Sequence, residues 1–377
     1  MTSTQRESLL PPEIIRHIGT FASPALLLKL RFLSRTVKAA IPPPDIPYSI
    51  ARHVVLHTTL PSFEALLTTF PKLRDGEIVA SAFNFLFTFG YTLPEETEQL
   101  LLTCCTRGLT SPIKILISDN TDIYIHDSEA LILSCYSGHA PTVCLLLTHG
   151  LDVHAQNDLP IRIAASENRL AVAELLLSKN ANVRANDDEA LRDAAQRGYT
   201  KMVKLLLSHG ANPDAGNGDA IIAAAEHGWL EMVKILLDHG ASVASRSHCA
   251  LIAAASQNHE EIVKLLLDHG ADPHAQKGRA VTNAAQFGHV GVLRILTASG
   301  AVGLDRYYGK GLSGAARYGH VHVVKELISL GANVCHKNNE PIKHAALYDQ
   351  YEVVKVLLGA GAYSSALKNV PGCSVPV

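Results

Sequence analysis

Residues 200–241 read TKMVKLLLSHGANPDAGNGDAIIAAAEHGWLEMVKILLDHGA. Within them VKLLLSHGA (203–211) returns as VKILLDHGA (233–241), and again as VKLLLDHGA at 263–271. Self-similarity at a fixed period is the signature of stacked units that bury their apolar faces only against one another. The fold is therefore to be read from one unit and its copies.

Outward from this stretch, pairs of small residues recur every thirty positions: Cys104-Cys105, Ser134-Cys135, Ala164-Ala165, Ala194-Ala195, Ala224-Ala225, Ala254-Ala255 and Ala284-Ala285. One residue is added before Ala315-Ala316, and Ala345-Ala346 follows at thirty. Small side chains at a fixed position let neighbouring helices approach closely. Three residues after each pair stands Gly108, Gly138, Asn168, Gly198, Gly228, Asn258, Gly288, Gly319 or Asp349, all types that tolerate a left-handed backbone. That is the turn of a helical hairpin. A second helix with an apolar run follows, and it stops at Asn120, Gly150, Asn180, Gly210, Gly240, Gly270, Gly300, Gly331 or Gly361. Before the first helix stand Ser128, Asp158, Asp188, Gly218, His248, Gly278, Gly309 and Asn339; all but His248 are good N-cap types.

Each unit is thus a short helix, a tight turn, a longer helix, a Gly or Asn stop and a loop. This resembles the ankyrin repeat in its short, thirty-residue variety, over about nine units. The period is thirty and not thirty-three, and the T-P-L-H helix start of the family is missing. The shortfall falls in the loops, so β-hairpin fingers are expected to be shorter than the family's, or replaced by plain turns. The expected fold class is all-α, an ankyrin-type α-solenoid with a small N-terminal helical module.

The N-terminal stretch has no repeat register. It contains LLPPEIIRHIGTFASPALLLKLRFLSRTVKAAI, followed by the break Pro42-Pro43-Pro44. Leu10-Pro11, Glu13, Ile14, Ile18, Phe21, Leu27, Leu30, Arg31 and Ser34-Arg35 resemble an F-box, the module that docks on the linker subunit of cullin-type ubiquitin ligases. The usual Trp after Ser-Arg is absent, with Val37 near its place. The competing reading is a pair of amphipathic helices that cap the stack. The expected domains are an F-box-like module at 1–45, a helical capping region or degenerate repeat at 46–92, repeats at 93–367 and a flexible tail at 368–377, with fraying from about Tyr363. The resemblance implies that Leu10, Pro11, Glu13 and Ile14 dock on the ligase.

A net charge of −2 gives no global reason to expect nucleic acid or an anionic membrane. The apolar stretch 78–93 is interrupted by Asn84 and Gly90 and is too short for a spanning helix of about 20 residues. The seven cysteines form no CxxC pair, and no signal-peptide pattern opens the chain. Cys104, Cys105 and Cys135 take the place of Ala in other repeats, so they read as core residues in a reducing, intracellular setting, the cytoplasm or the nucleus.

Chemistry-bearing motifs are few. Residues 309–314 (GKGLSG) match G-x-G-x-x-G, but a dinucleotide fingerprint needs a preceding strand and a βαβ unit, and a repeat loop precedes them here. His149, His209, His239 and His269 form a ladder at the period. Imidazoles one unit apart, about 10 Å, cannot share a zinc ion, so interaction with helix C-terminal carbonyls explains them better. Lys114, Lys204, Lys234, Lys264, Arg294, Lys325 and Lys355 recur on the second helix among acids such as Glu231, Glu260 and Glu326, which reads as a solvated face of mixed charge. No catalytic, cofactor or metal constellation stands out.

In the ankyrin family the residues just past each small pair face the binding groove. That implies a partner-binding set of Arg197, His227, Gln257, Phe287, Arg317, Tyr318 and Tyr348. Phe287, Tyr318 and Tyr348 share one register, and exposed aligned aromatics point to an interaction surface; mutual packing of the rings is the alternative. The loops add a gradient from acidic Asp158, Asp187, Asp188 and Glu189 to basic Arg246, Lys277, Arg279, Arg306 and Lys310. The expected function is a non-enzymatic, monomeric protein–protein interaction scaffold. If the F-box resemblance holds, it becomes a substrate adaptor for a cullin ligase; a plain interaction protein is the alternative, and an enzyme with a groove active site comes last. The expected partners are a protein in the groove and the linker subunit, with no cofactor, nucleic acid or membrane.

Overall fold

The computed structural model describes residues 97–118, 121–124, 128–300, 303 and 305–369. The F-box-like segment 1–45, the capping region 46–92, the helix stop Asn120 and nearly all of the tail 368–377 lie outside the described residues. The chain divides into two compact units after Asn182. Among the described residues of the first, three helical hairpins follow in order: α1 (Thr97–Arg107) with α2 (Thr110–Ser118), α3 (Glu129–Ser137) with α4 (Ala140–Thr148), and α5 (Ala155–Ser166) with α6 (Leu170–Ser178). The second holds six: α7 (Ala185–Gln196) with α8 (Thr200–Ser208), α9 (Ala215–His227) with α10 (Leu230–Asp238), α11 (Ser245–Ser256) with α12 (Glu260–Asp268), α13 (Ala275–Phe287) with α14 (Val290–Ala298), α15 (Asp305–Tyr318) with α16 (Val321–Ser329), and α17 (His336–Leu347) with α18 (Tyr351–Gly359). Within each unit, first helices pack on first helices and second on second, the arrangement of an ankyrin-type α-solenoid.

The small pairs are the seam of this packing. Ala194, Ala195, Ala224, Ala225, Ala254, Ala255, Ala284 and Ala285 are wholly buried, as are Cys104, Cys105, Ser134 and Cys135. Burial pushes the thiols of Cys105 and Cys135 up to about 12 and raises that of Cys104 as well, so all three stay protonated core residues. On the second helix, Met202, Val203 and Leu206 of α8 are buried, each contributing about 1.5–3 kcal/mol, while Lys204 between them is exposed.

The turn positions behave as their residue types require. The residues from Gly108 to Asp349 that close the hairpins all have positive φ, between 55 and 86°. The stops from Gly150 to Gly361 do likewise, at 65 to 95°. In α8, Gly210 N–H bonds Leu207 O at 3.0 Å and Ala211 N–H bonds Leu206 O at 3.1 Å, the paired closure of a left-handed cap.

Of the two readings of the loops, short β-fingers or plain turns, the structure shows the second: among the described residues there is no strand. The chain enters most first helices through a single left-handed turn. In α5, Gln156, Asn157 and Asp158 have φ of 51, 58 and 55° before the right-handed helix begins. The same triple occurs at 186–188, 216–218, 246–248, 276–278 and 337–339. Three such residues reverse the chain in less length than a hairpin, which accounts for the thirty-residue period. In α15, which carries the added residue, the stretch 306–309 is right-handed instead.

A correction concerns the N-cap residues. Ser128 makes no side-chain cap bond to its helix. Apart from Gly309, which is right-handed within α15, the others lie inside the left-handed turn, and several bond the backbone N–H twenty-four residues on, in the loop past their own second helix. Asp158 Oδ1 accepts from Asn182 N at 2.7 Å, and Asp188 Oδ1 from Asn212 N at 2.8 Å. His248 Nδ1 accepts from Asp272 N at 3.1 Å, and Asn339 Oδ1 from Tyr363 N at 3.5 Å. His248, the poorest cap type in the series, does the same work as Asp. Gly218 has no side chain to offer, and the corresponding N–H, that of Ser242, is taken by Asp214 Oδ1 at 2.8 Å. The chain does not fray at Tyr363: Ser364–Asn369 form a 3-10 helix and Leu367 is buried.

Candidate interaction groove

Every residue of the expected groove set lies in the second unit, at the C-terminal ends of its first helices. Arg197 and Gln257 follow α7 and α11, His227 and Phe287 end α9 and α13, Arg317 and Tyr318 end α15, and Tyr348 follows α17. All are exposed; Phe287, Tyr318 and Tyr348 keep 48, 51 and 41% of their surface in solvent. Arg317 joins two of the rings. Its guanidinium carbon lies 4.6 Å from the Tyr348 ring centre and 5.6 Å from that of Tyr318, within the range of a cation–π contact. Phe287 meets His289 at 6.2 Å and Tyr318 meets His320 at 6.4 Å, so each ring is braced from its own hairpin. His227 and Trp229 stack at 4.7 Å in the same way.

These bracing residues begin the second helices, and sequence reasoning missed them. At this register four residues reach back across a repeat boundary to a carbonyl thirty-three residues earlier. His139 Nε2 donates to Thr106 O at 3.0 Å, Arg169 Nε to Tyr136 O at 2.9 Å, His259 Nε2 to Glu226 O at 3.1 Å and His289 Nε2 to Ser256 O at 3.0 Å. A carbonyl only accepts, so in each histidine Nε2 carries the hydrogen. Burial lowers the pKa of His320 at the equivalent position, which favours its neutral form. The turn glycines make room for this latch: a Cβ on Gly138 would lie 2.7 Å from Arg169 Cδ, and one on Gly198 2.7 Å from Trp229 Cζ2. Position in the register was the only signal, because His, Arg, Trp and Gln alternate there.

The histidine ladder at the second-helix ends is bound as its helix-terminal reading requires. Nδ1 of His149, His209, His239 and His269 lies 2.8 to 3.0 Å from the carbonyl four residues back. The stripe from Lys114 to Lys355 is exposed and mixed with acid: Arg294 binds Glu326 through two bonds of 3.0 and 2.8 Å, and Lys355 Nζ lies 2.7 Å from Glu352. The loop charge gradient needs correction, since Asp158 and Asp188 are buried at 5 and 2% and spend their oxygens on backbone N–H groups. The G-x-G-x-x-G residues sit inside α15, and among the described residues no strand precedes them, so the dinucleotide setting is not met there.

In the same unit, α13 and α15 line an open polar hollow of about 380 Å³, formed by Gln276, Arg279, Thr282, Asn283, Gln286 and Lys310. Among the described residues no three metal-ligating side chains gather, and no helix is long and apolar enough to cross a membrane.

A family model described as ankyrin repeats (three copies) matches residues 100–187, 157–217, 191–277, 245–310 and 281–366. Among solved structures, the crystal structure of the human ASB11 ankyrin repeat domain is similar at 24% identity and a TM-score of 0.47, over 53% of this chain and 97% of that one. No curated protein matches.

Proposed function

The chain belongs to the ankyrin-repeat family, whose members bind protein partners, and on that premise we propose that the groove edge of the second unit is the site of binding. Phe287, Arg317, Tyr318 and Tyr348 form its anchor, and Arg197, His227 and Gln257 continue it as a polar edge. The carrying observation is Arg317 lying over both Tyr318 and Tyr348 while all three aromatics stay 41 to 51% exposed. Large side chains braced beneath and open above lose little freedom on binding, which is the character of interface hot spots. No catalytic family is indicated, and the role is that of an interaction module. Replacing Phe287, Tyr318 and Tyr348 together by Ser is expected to abolish partner capture with helical circular dichroism retained; unchanged capture places the site elsewhere.

The finer reading makes the protein a substrate adaptor. Residues 1–45 would dock on the linker subunit of a cullin ligase through Leu10, Pro11, Glu13 and Ile14, residues 46–92 would cap the repeats, and the groove would present the substrate. The support is the Leu10-Pro11-x-Glu13-Ile14 start with apolar residues at helical spacing up to Leu30-Arg31. Purified linker subunit should bind the full chain at micromolar or tighter affinity, and Leu10→Ala/Pro11→Ala should lose it. A folded protein that does not bind is an interaction module with no ligase link.

A further inference from the structure

Gly311 and Gly314 face α13. A Cβ on Gly311 would lie 3.0 Å from that of Ala285, and one on Gly314 would lie 3.2 Å from that of Gln286. Gly314 holds the register where the flanking repeats carry Asn283 and His344, so the groove surface between α13 and α15 lacks a side chain there. Beside it lies the polar hollow. Its two cations, Arg279 and Lys310, are exposed, and so is Arg317 one turn or two further along. Elsewhere on this unit arginines find carboxylates: Arg192 and Arg246 both pair with Asp219, at 3.4 and 2.6 Å. Among the described residues none of Arg279, Lys310 and Arg317 has one in ion-pair distance; Arg279 bonds the amide oxygen of Gln276 at 3.2 Å, and Arg317 meets only rings. Gln286 adds an amide donor to the same hollow, while the Gln276 amide nitrogen is spent on Arg246 O, Ser247 O and Cys249 Sγ. A recess lined by uncompensated cations and an amide donor is made for acceptor oxygens.

We infer that this recess binds a carboxylate side chain of an acidic, extended segment of a protein partner, with an adjacent aromatic or apolar side chain laid on Phe287 and Tyr318. The inference rests on the groove reading and names the chemistry the groove selects. A long polyanion such as a nucleic acid fits poorly, because Glu226 stands at the position equivalent to Gln286 nearer the start of the unit, is exposed and would repel it. The cationic region is short and suits one or two carboxylates.

The test is fluorescence anisotropy of the full chain with a labelled glutamate–tyrosine copolymer, set against a lysine–tyrosine copolymer. The acidic probe should bind, more weakly as salt rises, and Arg279→Glu/Lys310→Glu should weaken it by about tenfold or more. The same charge change on the outer helices, Lys204→Glu/Lys234→Glu, should leave binding unchanged. Equal loss in both double variants would show attraction to net charge alone and overturn the inference, as would equally tight binding of the basic probe. Binding confined to a tyrosine-phosphorylated form of the acidic probe would overturn the carboxylate assignment in favour of phosphate. Failure of the acidic probe while the Phe287/Tyr318/Tyr348→Ser variant still loses its cellular partner would reject the acidic preference and leave the groove reading standing.

Discussion

Two successive loops in the second unit, at 186–188 and 216–218, make the same left-handed turn by opposite means. Asn186-Asp187-Asp188 places three side-chain-bearing residues at φ of 54, 57 and 51°, where most L-residues pay about 1–2 kcal/mol and Asn and Asp pay less. In return Asp188 puts a buried carboxylate on Asn212 N–H. Gly216-Asn217-Gly218 relaxes two of the three positions but has no acceptor at the third, and Asp214, four residues earlier, closes on Ser242 N–H instead. The difference teaches that the fixed requirement is an acceptor for the loop N–H. Which residue supplies it is free to wander, as His248 and Asn339 also show.

Removing the acceptor is the strongest way to break this equivalence. Asp188→Ala leaves the Asn212 N–H without its partner while keeping the left-handed strain, and should cost about 1–3 kcal/mol. Asp188→Gly loses the same bond but relieves the strain, so it should cost ~1 kcal/mol less than Ala. Urea unfolding of the pair reads the difference, and amide exchange should quicken at Asn212 in both. Equal stabilities for Ala and Gly would show that the turn carries no strain at this position.

Asp214→Ala should be milder, about 0.5–1.5 kcal/mol, because Asp214 is half-buried and water can reach the freed N–H of Ser242. Adding Gly218→Asp to it should not restore stability. A Cβ at 218 would collide with Cβ of Ser245 and lie 2.6 Å from its Oγ, so the carboxylate cannot take the position it has in the preceding repeat. Recovery of wild-type stability in that double variant would show that the two turns are interchangeable after all.

Much of this was legible in the chain. The buried pairs and the positive-φ turns and stops follow from residue type at a fixed period, because small volume and left-handed tolerance are properties a single residue carries. The loops were harder for the opposite reason. Asp158 and Asp188 look like N-caps because Asp ahead of a helix usually is one; that their oxygens serve a loop twenty-four residues away depends on three-dimensional closure. The latch at His139, Arg169, His259 and His289 was hidden because several donor types serve the carbonyl, so the repeats share a position and not a residue type. At the groove, exposure of Phe287, Tyr318 and Tyr348 was anticipated, but the bridging role of Arg317 and the recess beside Gly314 arise only when α13, α15 and α17 are side by side.

The latch has a mechanical consequence. In the second unit each back-reaching bond spans one repeat boundary and no more, as do the small-pair contacts. A load applied along the chain would therefore be carried by one boundary at a time. Rupture would peel hairpins from an end in succession, each releasing about 100 Å of chain at ~3.5 Å per residue. A lost hairpin would re-form on the template its neighbour still presents, because the receiving carbonyl stays fixed at the end of a folded helix. The second unit would in that respect extend in countable steps, one hairpin at a time.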